Sequence, residues 1–205
     1  MMYNSIARFL RIPRRLRMIY YIHWNRLKFR FCGIKFEDGM NVYNKIYVNV
    51  HHTAQVSIGH NFTFSSGAAF NPLSRNIRGC IFAETKANII IGNNVGISSA
   101  TLWAKESIQI GDNVKIGSDC ILLDTDAHNL DYRIRRDSSR DTFTAKSKPI
   151  IIEDDVLIGT RCIVLKGVTI GARSVIGSGS IVTKSIPADC IAAGNPCKVI
   201  KAISE

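Results

Sequence analysis

From about residue 40 onward, aliphatic residues return every six positions. The register is plainest in the C-terminal third, where IEDDVL, IGTRCI, VLKGVT, IGARSV, IGSGSI and VTKSIP follow one another. Ile152, Ile158, Val164, Ile170, Ile176 and Val182 form one column, and Val156, Cys162, Val168, Ser174, Ser180 and Ile186 form a second, four residues later. In the middle third Ile91, Ile97 and Trp103 keep step, and after a one-residue shift so do Ile110, Ile116 and Leu122. The first coils are worn, with SIGHNF and FSSGAAF as their clearest traces. Such a period fits neither an amphipathic helix nor a simple hairpin meander. It predicts a short strand and then a corner. The column residue points inward, and GHN, GNN and GDN supply residues that tolerate left-handed backbone at a tight bend. Three such steps, about 18 residues, make one triangular coil, and coils stack by parallel strand pairing. Each buried Ile or Val contributes about 1.5–3 kcal/mol. The expected fold is all-β, a parallel β-helix over residues 36–205 whose open ends need caps.

The ends supply them. Residues 1–35 read as a helical arm: Ile6, Phe9 and Leu10 can share a face, Pro13 breaks or restarts the helix, and Leu16, Ile19, Tyr20, His23 and Leu27 continue at helical spacing. The first expectation is that the apolar face packs on the body and covers an open end. Contact with an anionic membrane is the second, and the two are compatible. IPADCIAAGNPCKVIKAI, within about residues 187–205, is expected to close the other end.

Composition narrows the functional classes. The chain has 205 residues, 46% of them hydrophobic, enough for a sizeable core. No apolar run approaches the roughly 20 residues of a membrane span. The N-terminus lacks a cleavage site of the signal-peptide kind, so the expected compartment is the cytoplasm. The six cysteines form no Cys-x-x-Cys pair and are read as inert thiols, Cys120 and Cys162 as small core hydrophobes. The net charge of +11 is concentrated in the arm: nine Lys and Arg precede Glu37, leaving 18 against 16 Asp and Glu in the body. A nucleic-acid surface is not indicated.

The string from KPIIIEDDVLIG through GVTIGARSVIGSGSIVTKSIP to AAGNPCKVIK resembles the hexapeptide-repeat acyltransferases, in particular the galactoside, maltose and nodulation-type sugar O-acetyltransferases and their relatives in surface-polysaccharide synthesis. The resemblance covers about residues 55–203. It implies a left-handed coil, acetyl-CoA as donor, a carbohydrate acceptor, and a homotrimer with active sites between subunits.

One interruption then acquires a meaning. In LLDTDAHNLDYRIRRD the aliphatic column meets His128, and a polar stretch follows that must leave the coil as a loop over about 129–148. The resemblance implies a catalytic histidine beside such an excursion. A neutral imidazole can take the proton of a sugar hydroxyl as it attacks a thioester carbonyl. Asp124 and Asp126 are read as solvated turn residues, with orientation of the ring as their second reading. By resemblance, the Thr160 amide serves the oxyanion, while Thr160, Gly177, Ser178, Thr183, Lys184, Lys198 and Lys201 line the cofactor groove. Ser98, Ser99, Asp126, Asp131 and Arg133 are candidates for holding the acceptor, with Arg135 and Arg136 in the same loop. No metal is expected, because His128 lacks the paired histidine that a zinc site on this fold requires.

Two features depart from the family pattern. Leu157 stands where an aromatic is frequent, and the arm is more basic than in the galactoside and maltose enzymes, which favours a lipid-linked glycan over a free sugar. Transfer to an amino sugar or antibiotic, and a non-catalytic scaffold, remain as alternatives.

Overall fold

The column residues turn inward as the six-residue period requires. The computed structural model describes residues 12–67, 70, 73 and 77–203. Within it Ile152, Ile158, Val164, Ile170, Ile176 and Val182 are at most 1% exposed. The strands fall into three sheets, the faces of a triangular prism. The first face stacks Lys35–Phe36, Gln55–Ile58, Asn88–Ile91, Ser107–Ile110, Ile150–Ile152 and Thr169–Ile170. The second stacks Asn41–Tyr43, Thr63–Ser65, Gly96–Ser98, Lys115–Ile116, Leu157–Ile158 and Val175–Ile176, then Cys190–Gly194 and Cys197–Ala202. The third runs through Tyr47–Val50, Cys80–Ala83, Thr101–Ala104, Ile121–Leu123, Ile163–Leu165 and Ile181–Val182. Stacked neighbours pair in parallel, Ile108 on Ile150 for example, except at the C-terminal hairpin.

Corner chemistry divides between two residue types. In GDN it is Asn113 that takes the left-handed conformation, with φ +60°. Gly111 serves a different need: a Cβ there would lie 2.9 Å from the Asp154 amide nitrogen of the next coil. The corners also place Arg161 and Arg173 at φ +59°, beyond the Gly, Asn and Asp expected from sequence. One inward position was misjudged. Leu102, fully buried, faces the core and pairs with Leu122, whereas Trp103 faces outward and donates from Nε1 to Glu84 at 2.7 Å. The one-residue slip of the middle coils therefore lies on the third face.

Helix α1, Ile12–Phe31, covers the N-terminal end. Phe29 is fully buried, and Asn25 donates to the carbonyls of both Val42 and Asn44 at 2.9 Å. Arg26 and Lys28 donate to the carbonyls of Met40 and Ile46 at 2.9 and 2.7 Å. These bonds satisfy backbone that the first coil would otherwise leave unpaired. Of the expected arm, residues 1–11 lie outside the described residues. At the other end, Cys197–Ala202 folds back antiparallel on Cys190–Gly194, so the last parallel edge is paired rather than open.

Candidate active site

Sequence places His128 at a column position, but the chain leaves the coil before reaching it. The third-face strand ends at Leu123, and Asp124 marks the exit. Its carboxylate is fully buried and accepts three backbone N–H bonds, from Lys105, Glu106 and Ser107, at 2.7–2.8 Å. It is therefore not a solvated turn residue, and it does not touch the histidine. Burial pushes its pKa up, against the opposing pull of those donors. The return lies alongside: Lys148 N–H donates to the Asp124 carbonyl at 2.9 Å, and Thr125 bridges antiparallel to Ser147. The excursion thus spans residues 125–147, starting earlier than the expected 129, and His128 belongs to it.

Within the excursion, His128 is held by a residue the sequence reading did not single out. Its Nδ1 donates to Asp141 Oδ2 at 2.6 Å, and the Asn129 amide donates to Asp141 Oδ1 at 2.8 Å. Asp141 is 7% exposed, whereas the His128 side chain is 63% exposed. The hydrogen bond from His128, and after it that from Asn129, hold the Asp141 carboxyl below the usual carboxylate range. A carboxylate on Nδ1 fixes the tautomer whose Nε2 carries the free lone pair, and among the described residues no hydrogen bond engages Nε2. Nothing in the hexapeptide pattern could have located Asp141, because it stands in a segment that has no repeat.

Beside this pair lies a cavity of about 320 Å³ lined by Asp126, Asn129, Leu130, Asp131, Thr144 and Lys146, among others. Two of the acceptor candidates, Asp126 and Asp131, are on its wall. Asp126 forms an ion pair with Lys166 from the next coil. Asp131 caps the short helix α2, Tyr132–Arg135, and is gripped by the Arg133 guanidinium at 2.8 and 3.0 Å, which lowers its pKa. Asp131 and Arg133 therefore engage each other first. Lys105 ties the loop to the preceding coil through the Thr142 carbonyl.

The remaining candidates separate onto different corners. Thr183 and Lys184 follow the third-face strand Ile181–Val182 and share the His128 corner. Thr160, Gly177 and Ser178 follow second-face strands and stack at the corner between the second and third faces. The Thr160 amide donates to Ser178 Oγ at 3.2 Å. Ser98, Thr160 and Ser178 line a groove of about 410 Å³ that runs up this face past Gly117 and Leu157. Within one chain, that corner is not the His128 corner. Lys198 and Lys201 are exposed on the closing hairpin. Ser99, an acceptor candidate by sequence, is 1% exposed and its hydroxyl accepts from the Gly67 amide at 2.9 Å, so it is engaged in holding backbone.

A family described as the hexapeptide repeat of succinyl-transferase matches residues 149–184. A hexapeptide-repeat-containing acetyltransferase from Vibrio cholerae O1 biovar eltor, solved with acetyl coenzyme A, is 32% identical, with 63% of this chain and 70% of that one covered and a TM-score of 0.52. The chain belongs to the hexapeptide-repeat acetyltransferase family. The left-handed sense of the coil is that of the family. Among other members, the galactoside O-acetyltransferase of Escherichia coli K12 is 39% identical over 126 residues, 61% of this chain and 59% of that protein. The chain thus spans less than two thirds of that relative's length. A maltose O-acetyltransferase from Clostridium difficile 630 is 27% identical, covers 84% of this chain and 71% of its own, and has a TM-score of 0.54.

Proposed function

We propose that the protein transfers an acetyl group from acetyl-CoA to a sugar hydroxyl, with His128 as general base, at an acceptor belonging to a surface polysaccharide or lipopolysaccharide. The observation that carries this reading is the Asp141–His128 pair, with the imidazole largely exposed, in the same loop whose Asn129 lines the cavity. In the reaction, Nε2 takes the hydroxyl proton as the sugar oxygen bonds to the thioester carbonyl carbon. The tetrahedral intermediate then expels the coenzyme A sulfur, which receives that proton from the imidazolium. Asp141 keeps the ring oriented and stabilises its cationic form without itself accepting the proton. The polar wall of the cavity, with Asp126, Asn129 and Thr144, suits a polyhydroxylated acceptor.

The donor belongs on the other corner. The outward groove beside Thr160 and Ser178 suits the extended pantetheine arm, and Lys198 and Lys201 suit its phosphates. His128 and that groove lie on different corners, so the working assembly in this proposal is a homotrimer in which the loop corner of one subunit meets the groove of the next. The family's solved acetyl-CoA and coenzyme A complexes support the choice of donor. The proposed compartment is the cytoplasm, where acetyl-CoA is available.

The test is acetyl-CoA-dependent thiol release over a panel of sugar acceptors, wild type against His128→Ala. Release that requires an acceptor, and that drops by about 10²-fold or more in the variant, is the expected result. Equal rates in the two proteins would refute the assignment of the base.

A further inference from the structure

Helix α1 carries two apolar faces, and the body uses one of them. Phe29 and Asn25 face the first coil and are buried. On the opposite side Leu16, Ile19, Tyr20, Trp24, Leu27 and Phe31 are 46–83% exposed. Their spacing places them along one outward stripe of the helix. Tyr20 and Trp24 stack in parallel along it, with ring centroids 6.5 Å apart. The capping role of the helix explains none of these six side chains.

Charge selects the occupant of this stripe. The helix holds six Arg and Lys and no Asp or Glu. At helical spacing Arg15, Arg26 and Arg30 fall along one margin of the stripe, and Arg17 and Lys28 along the other. Arg26, Lys28 and Arg17 donate to uncharged oxygens of the body, which leaves their charges in place. Two acids, Glu37 and Asp38, line a pocket with Arg26 and Arg30, but Asp38 pairs with His60. A second copy of the same surface would bring two cationic margins together, which like-charge repulsion opposes. An apolar stripe between cationic margins fits the interface of an anionic bilayer, with the aromatic rings at headgroup depth and the guanidinium groups on lipid phosphates. No helix among the described residues is long and apolar enough to cross a membrane, so the contact lies in the plane of the surface.

We infer that helix α1 is an in-plane anchor for an anionic lipid surface, its inner face closing the β-helix while its outer face enters the bilayer. This inference does not depend on the proposed chemistry, and it is tested without substrate. The full chain is floated with vesicles of phosphatidylcholine alone or of phosphatidylcholine with phosphatidylglycerol, alongside Trp24→Glu/Leu27→Glu. Both substituted side chains are exposed, so the double variant should keep the wild-type unfolding midpoint. The expected result is flotation with the anionic vesicles and at least about tenfold less bound double variant. Wild-type protein that stays unbound to both vesicles would overturn the inference, as would a double variant that floats equally well. A lipid-free wild-type assembly larger than that of the double variant would reassign the stripe to a second copy.

Discussion

In the proposed reaction, Asp141 decides whether His128 can act as a base. As a carboxylate it can only accept, so Nδ1 carries the hydrogen and Nε2 keeps its lone pair. An asparagine could still accept from the Asn129 amide while offering its own NH2 to Nδ1, which would move the ring hydrogen to Nε2. Asp141→Asn is therefore expected to lower kcat by about 10²–10⁴-fold with little change in the acetyl-CoA KM, read by steady-state kinetics with saturating acceptor. A parallel rise in KM with unchanged kcat would assign Asp141 to holding the loop alone. His128 stood out in sequence because a histidine meets the aliphatic count, although the chain has already left the coil at Asp124. Its partner was not, because Asp141 belongs to a segment without periodicity, and proximity across 13 residues of irregular chain leaves no pattern. The nearer acids misled for a physical reason: Asp124 spends its carboxylate on three backbone amides.

At the scale of the coil, glycine has two separate uses with separate costs. Gly111 lies against the backbone of the next coil, with Asp154 N and Glu153 C within about one van der Waals contact of where a Cβ would lie. Gly179 has φ +76° and nothing within 4 Å of that position. Gly111→Ala should cost about 1–3 kcal/mol from overpacking, whereas Gly179→Asn should stay within about 0.5 kcal/mol, since asparagine tolerates left-handed backbone and the site is open. Urea unfolding of the two variants compares them directly. The late coils were legible in sequence because strand and corner repeat without insertion. The middle coils were less so: Leu102 and Trp103 are both large and apolar, and only the pairing of Leu122 with Leu102 shows which one turns inward.

For the whole molecule, the separation of His128 from the Thr160 groove is the property with the clearest consequence. If each site is completed by two subunits, an inactive His128→Ala protein and an inactive groove variant such as Ser178→Trp should complement each other. Refolded together in equal amounts, they should regain about a quarter of wild-type activity, the share of interfaces that receives an intact histidine from one subunit and an intact groove from the other. A mixture as inactive as its components would place both halves of the site on one chain. The proposed assembly and acceptor are not legible from periodicity, which fixes what each face repeats and leaves unstated which face meets another molecule.

The neck of the excursion has a consequence for how such a protein can change. The segment leaves at Asp124 and returns at Lys148 beside the same corner, with the two backbones already joined. The coils below and above it, Ile108 to Ile150 and Leu122 to Val164, pair as though nothing had been inserted. A closed neck makes the length between its ends inexpensive, about 0.6 kcal/mol for each doubling. The prism is then a socket, and residues 125–147 are an exchangeable cassette that carries both the proposed base and the cavity wall proposed to select its acceptor. Grafting that cassette between relatives should move acceptor preference with it and leave the donor groove behind.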